Sequence, residues 1–284
     1  MSNHSKGLLI AFFGVLVLTP EGILVKLASS DSFTILFWRG LFLTLSILII
    51  LLISYRSSAM NQIKSIGKEG LLVGCLTGFG GSTFILAIHY TTLAKTLVIV
   101  SASPIMVALV SFILLGERPR LLTWIAMLIV FSGIYIVMSG DTSGLNLKGS
   151  LFALASVTSG GFAFTLLRKY KEVNMVPAMA INGLFITFVG LFFADSLSLS
   201  SQAMTYIVIS SVLVAISFSL ITIAPRYIPA PEVAIFFPMG TVIGTVLAWL
   251  ILKEELSSTA VFGGIVVILT LFIHSIYSAR QSNN

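Results

Sequence analysis

Polar positions in this chain fall almost entirely between long apolar stretches, and ten such stretches follow one another from end to end. They run over 7–27, 33–53, 70–90, 94–115, 121–139, 149–167, 175–194, 203–224, 230–252 and 258–278. Near Pro225, Pro229 and Pro231 the limits shift by several residues, because proline sets local turns of its own. A helix needs about 20 apolar residues to cross the hydrocarbon core, so the pattern predicts ten spanning helices joined by short loops. No room is left for a catalytic domain outside the membrane. The first stretch lacks the short apolar core and small-residue cleavage pattern of a secretory leader and reads as a retained span.

Composition strengthens this reading. Of 284 residues, 57% are hydrophobic and 9% charged, with a mean hydropathy of +1.08. Soluble proteins carry about 25% charged residues, and so little charge cannot cover a 30.5 kDa molecule in water. The one cysteine, Cys75, excludes an intramolecular disulfide and a cysteine-based metal site. His4, His89 and His274 are scattered, so neither metal nor cofactor is implied. The net charge of +6 does not point to nucleic acid, because the basic residues are thinly spread between spans. They serve as topology signals instead. With a cytoplasmic amino terminus, eleven of the 16 Lys and Arg residues lie on the cytoplasmic side, four (Lys26, Lys95, Lys148, Lys253) lie opposite, and Arg39 lies within a span. That asymmetry is the positive-inside pattern. Both termini are therefore expected in the cytoplasm, in the cytoplasmic membrane of the cell.

The chain also resembles itself. Lys6-Gly7 opening the first span matches Lys148-Gly149 opening the sixth, and Lys26 falls opposite Arg168. Arg39-Gly40-Leu41-Phe42 matches Asn182-Gly183-Leu184-Phe185, Tyr90 matches Tyr227, and Leu115-Gly116-Glu117 matches Leu252-Lys253-Glu254. The repeat divides the chain into residues 1–140 and 141–284, with five spans each. An odd number of spans forces the second unit into the membrane upside down relative to the first. The predicted fold is thus an all-α membrane protein, ten transmembrane helices arranged as an inverted repeat of two five-helix units around a central cavity. Such a chain can open to either side by exchanging the conformations of its halves.

With its five-plus-five repeats, the Phe37-Trp38-Arg39-Gly40 segment of span two and the Leu-x-Glu endings of spans four and nine, the chain resembles the EamA-type branch of the drug/metabolite transporter superfamily. Leu18-Thr19-Pro20-Glu21-Gly22 is similar to first-span proline–acid motifs of some members. The resemblance covers nearly the whole chain and makes each half an EamA-like five-helix repeat. It implies a carrier of small metabolites, with amino acids or drugs often moved outward.

Glu21 is the foremost candidate for the chemistry, since a carboxylate inside a span is costly and tends to be functional. At 1.5 Å per residue it lies about 10 Å below the end of span one, and Arg39 about 9 Å below the adjacent end of span two. The two spans form an antiparallel hairpin, so the charges are expected to face each other. Their repeat counterparts are Ala163 and Asn182, so both charges are absent together from the second half. Two accounts of the pair stand: a structural ion pair pinning the two spans, or a carboxylate that takes up a proton or a solute ammonium during transport. Thr19, Trp38, Tyr90 and Asn182 complete the candidate binding set. Trp38 and Tyr90 are read either as cavity wall or as interface anchors, and His89 as interfacial.

Pro20, Pro104 and Pro238 fall inside spans, where a missing donor is tolerated if the backbone lines a cavity. With Ser101 beside Pro104 and Phe237 beside Pro238, they form the candidate cavity and hinge set. Lys26 is expected to extend its ammonium to the headgroups. Glu117 and Glu254 are expected to cap the start of the span that follows each. The glycines at 70, 74, 78, 240 and 244 predict close helix contacts.

No zinc-protease, hydrolase-elbow or P-loop motif occurs, so neither an enzyme nor an ATP-driven pump is predicted. Rings of like charge or a filter sequence, which a channel needs, are also missing. The function expected is secondary active transport of small organic metabolites, amino acids or related compounds, outward across the cytoplasmic membrane by alternating access. The alternatives are a multidrug efflux carrier for amphipathic compounds and a non-transporting receptor or scaffold. The partners are a small solute, the lipid bilayer and a proton as coupling ion; monomer and homodimer both remain open.

Overall fold

The structure, a computed structural model, describes residues 3–116, 121–139, 144–228, 233, 236–254 and 258–282. Among these the elements are all helices, with no strand. The helices are α1 (Asn3–Leu18), α2 (Glu21–Ala28), α3 (Ser32–Tyr55), α4 (Ala59–Ser65), α5 (Gly67–Tyr90), α6 (Leu93–Val100), α7 (Ser103–Leu115), α8 (Leu121–Ser139), α9 (Gly144–Lys169), α10 (Ala178–Phe193), α11 (Ser201–Ile223), α12 (Phe236–Leu247), which runs on through a π turn at Ala248–Leu252, and α13 (Ser258–Ser282). Six helical stretches among the described residues are long and apolar enough to cross a membrane: Ser5–Ala28, Ser32–Ser65, Gly67–Tyr90, Leu93–Leu115, Leu147–Lys169 and Ser201–Ile223. Shorter apolar helices occupy Trp124–Ile136, Ala178–Phe193, Met239–Leu252 and Val261–Ile273. Large apolar side chains such as Ile53, Leu128 and Phe192 stand exposed on the outside of the bundle, as a protein dissolved in lipid requires.

Two of the stretches expected as single helices are broken, and local chemistry explains each break. Pro20 has no amide to donate to Leu16 O, and Thr19 N takes that carbonyl at 3.2 Å. The hydroxyl of Thr19 then satisfies Val15 O at 3.1 Å, so α1 ends, a turn follows, and α2 begins at Glu21. The same substitution of partners separates α6 from α7. Pro104 cannot donate to Val100 O, and Ser103 Oγ does so instead at 2.5 Å. Ser101 Oγ is turned to Val98 O at 2.6 Å.

Helix ends are set by equally local devices. Asp31 caps α3 by accepting from Phe33 N and Thr34 N at 3.0 and 2.9 Å. Gly116 stops α7 in the left-handed region (φ +68°), its amide bonded to Phe112 O. Lys253 closes the π turn in the same region (φ +52°).

The tightest crossing joins α3 to α10. A methyl on Gly40 would lie 2.6 Å from Gly183 O, and one on Gly183 would lie 2.8 Å from Gly40 O. Only glycine lets these backbones touch. Around this crossing α5 packs on α9 and α10, α11 packs on α1, α2 and α3, α7 packs on α9, α12 on α1 and α6, and α8 on α13. Gly74 and Gly78 face Ile181 and Phe185 of α10, Gly240 faces Val15 and Gly244 faces Leu97. Gly70 instead packs against Ile66 of its own chain segment.

Candidate functional site

The break before α2 brings Glu21 to the first turn of a new helix, buried against its neighbours. Arg39, one-third of the way along α3, is 2% exposed. Its Nη2 donates to Glu21 Oε1 in a buried ion pair. Removing either partner would strand a charge in a low-dielectric interior.

The pair lies on the wall of a central cavity of about 180 Å³. The lining comes from α1, α2, α3, α5, α6, α7, α9, α11 and α12, so both halves of the chain contribute. It is mostly apolar, with Phe84, Phe164, Phe218 and Phe237 among its walls and Phe164 set edge-on to Phe237 at 5.6 Å. Thr19, Thr77, Ser103, Ser156 and Thr241 add hydroxyls, but these are committed to backbone carbonyls within the bundle. Gly80 and Gly160 leave the wall bare of side chains where α5 meets α9, and Gly81 faces Ile186 of α10 and Arg39 of α3.

Of the residues singled out in the sequence, Glu21, Arg39, Thr19 and Phe237 line this cavity. The others lie elsewhere. Trp38 donates its indole N–H to Leu197 O at 2.8 Å and stacks on Phe42, so it anchors the connection after α10. Tyr90 stacks on Phe152 of α9 at 5.8 Å and meets His89 edge-on. Ser101 is buried, Pro104 is the second residue of α7, and Pro20 forms the α1–α2 turn. Pro238 falls in the first turn of α12, with its side chain outside the described residues. Asn182 is 1% exposed on α10, and its Oδ1 has no hydrogen-bond partner. Nothing in the residue pattern distinguishes Phe84, Phe164 or Phe218 from the chain's other phenylalanines. Adjacent glycines at 80–81 and 160–161 were the available signal for the bare wall.

Two expectations need correction. Lys26 does not reach outward to headgroups. Its Nζ donates to Ile88 O and Thr91 O at 2.7 and 3.0 Å, because the end of α5 presents carbonyls without partners of their own. Among the described residues Glu254 caps a helix other than the one that follows it. Its two oxygens accept from Leu93 N and Ala94 N at 3.0 and 3.1 Å, starting α6 far back in the sequence. Lys26 Nζ stands 3.9 Å from Glu254 Oε1, so the two devices form one cluster. Glu117 lies outside the described residues. Among the described residues no group of His, Cys, Asp and Glu could hold a metal ion.

Comparison with known proteins places this architecture. The model of the EamA-like transporter family matches the chain twice, over residues 5–139 and 147–276. A protein of Methanothermobacter thermautotrophicus (strain Delta H) described as an uncharacterized transporter is 23% identical over 201 residues, 67% of this chain. The match spans 59% of that relative's length. A crystal structure of another protein shares the fold with a TM-score of 0.69 at 14% identity, covering 98% of this chain and 99% of the other.

Proposed function

The chain belongs to the EamA-like transporter family, and on that premise we propose that it is a secondary active transporter carrying small organic metabolites across the cytoplasmic membrane by alternating access. It is a multi-pass membrane transporter rather than an enzyme by family, and a solute and a bilayer are its partners. The observation that carries the finer reading is the central cavity with the buried Glu21–Arg39 pair on its wall, lined from both matched halves.

Alternating access needs two halves that can trade conformations. Supporting that symmetry, contacts recur when each residue is replaced by its counterpart in the other half. Gly7 of α1 packs against Tyr227 and Ile228, and Gly149 of α9 against Thr91, the residue after Tyr90. Ser217 Oγ donates to Gly14 O across α11 and α1, and Ser156 Oγ donates to Gly80 O across α9 and α5, both near 2.8 Å. Gly40 and Gly183 meet each other at the centre, and Gly116 and Lys253 share one left-handed backbone conformation at matching helix ends. In this reading ten spans form an inverted repeat, divided between residues 1–140 and 141–284, with both termini in the cytoplasm. The Lys26–Glu254 cluster then lies on the outer side.

Glu21 is assigned the mobile charge. When the helices rearrange and Arg39 withdraws, the carboxylate takes up a proton, which couples solute movement to the proton gradient. The cavity of about 180 Å³ is small beside the 300–1,000 Å³ of drug-sized sites, which favours a metabolite over bulky drugs. Amino acids and related compounds moving outward are the leading class by family. Purified protein in liposomes tests the carrier: saturable flux with counterflow is expected, and a receptor or scaffold gives none. Glu21→Gln is expected to abolish the pH dependence of that flux, and coupling left intact removes the proton role.

A further inference from the structure

A second cavity, of about 320 Å³, lies between the ends of α2, α3 and α5 that the proposed topology puts at the outer face. Lys26, Ser29, Ser30, Ser32 and His89 give it a polar rim, and it has room for several waters. It shares no described lining residue with the central cavity, yet the two stand in register on three helices. Val25 follows Glu21 by four residues on α2, Ile35 precedes Arg39 by four on α3, and Ile85 follows Gly81 by four on α5. Residues four apart share a helix face about one 5.4 Å turn from each other. The outer cavity therefore ends one helical turn short of the Glu21–Arg39 pair. Val25, Ile35, Ile85 and Ile88, which line it there, are only 1–4% exposed and form a dry apolar layer. On the other side of the pair, Phe164, Phe218 and Phe237 carry the central cavity toward the helix ends that the same topology turns to the cytoplasm.

We propose that the outer cavity is the route by which protons from the outer face reach Glu21, and that Val25, Ile35, Ile85 and Ile88 are the seal that keeps this route from becoming a leak. The assignment rests on reading Glu21 as the proton carrier and deepens that reading by naming its outer access. A buried carboxylate exchanges a proton with both faces only if water reaches it from each in turn. One cavity already lies against Glu21, and the other stops one turn away. A layer one side chain thick passes a solute only when whole helices part, whereas a transient file of water through it suffices for a proton. The step is a plain transfer. A proton from water in the outer cavity adds to the Glu21 carboxylate, and the same proton leaves to water in the central cavity as the Arg39 pair re-forms. At their outer ends the elements packed around α2 carry His89 and Tyr90 of α5, Lys95 of α6, Tyr206 of α11, and Lys253 and Glu254 after the π turn. Arg39 is the group bonded to Glu21. Lys26, its ammonium held by Ile88 O and Thr91 O, fixes α2 against α5 beside the seal.

The test uses the full chain in liposomes loaded with a pH-sensitive dye, with no solute added and a potassium diffusion potential driving protons inward. Val25→Thr and Ile85→Thr each put a hydroxyl into the seal at nearly unchanged size. The helix tolerates such a hydroxyl, since Thr77 and Thr83 of α5 already donate theirs to the carbonyl four residues back. Each variant is expected to raise proton entry several-fold over the parent, and Glu21→Gln added to either should return it to the parent level. Ile49→Thr, exposed on the outside of α3, should leave proton entry unchanged. A bulky thiol adduct at Ser30→Cys, in an Ile85→Thr and Cys75→Ser background, should fill the outer cavity and suppress the leak. A leak that survives Glu21→Gln or the adduct overturns the route, as does the absence of a leak from both Thr variants. In that last case, solute flux whose pH dependence still requires Glu21 leaves the proton role and the carrier intact. A Glu21-dependent leak in protein that shows no solute counterflow would support the route and remove the carrier instead.

Discussion

Glu21 and Arg39 show how much of a membrane protein's design rests on single side chains. Each buries a charge that the other neutralises, so the cost of a substitution depends on what happens to its partner. Glu21→Leu or Arg39→Met alone should destabilise the fold by about 3–5 kcal/mol, because an unpaired charge is left inside. The double variant should melt close to the parent protein, since an apolar pair of similar volume replaces a desolvated ion pair. Thermal unfolding in detergent compares the three. Equal melting of all of them would mean that the pair has no structural weight. Transport is expected to be lost in the double variant, whose cavity has no charge left on the Glu21–Arg39 wall. The pairing itself was legible beforehand: depth arithmetic along an antiparallel hairpin put both charges at one level. That Arg39 and Asn182 both lie beside Gly81 was not legible, because a glycine among many in an apolar sequence does not announce its neighbours.

Helices and their breaks were legible to different degrees. Pro20 and Pro104 marked the interruptions of the first and fourth spans, since a missing amide is a property of one residue and needs no tertiary knowledge. What they could not reveal was where Thr19 and Ser103 would send their hydroxyls. Trp38 and Tyr90 were ambiguous for the opposite reason: an aromatic ring fits a cavity, an interface or a helix contact equally well, and only their partners Leu197 and Phe152 decide. Glu254 is the clearest case of an element set from afar. Two amides at the start of α6 depend on a carboxylate at the end of α12's π turn, a pairing that sequence order obscures. Glu254→Ala should therefore cost about 1–2 kcal/mol. Hydrogen exchange should localise the loss to residues 93–96 rather than to the start of α13. Protection lost at residues 258–261 instead would return the cap to the helix that follows it.

At the scale of the molecule, the family model matches the chain in two successive stretches, residues 5–139 and 147–276. The Gly40–Gly183 crossing lies between those halves. Impermeant labelling of single cysteines, introduced at both termini in a Cys75→Ser background, is expected to place the two ends on the same, cytoplasmic face. Opposite faces would break the span count and the symmetry argument together. The packing order has one more implication. Helices α1, α3 and α5 find their main neighbours in α11, α10 and α9, and α8 finds its neighbour in α13. During synthesis these segments must therefore wait in the bilayer, their contact faces uncovered, until their partners in the second half follow, and α8 waits for the last helix of the chain. Neither half alone should survive cellular proteolysis, whereas separately encoded halves produced together should reassemble, and their nascent dependence on one another makes late truncations as damaging as early ones.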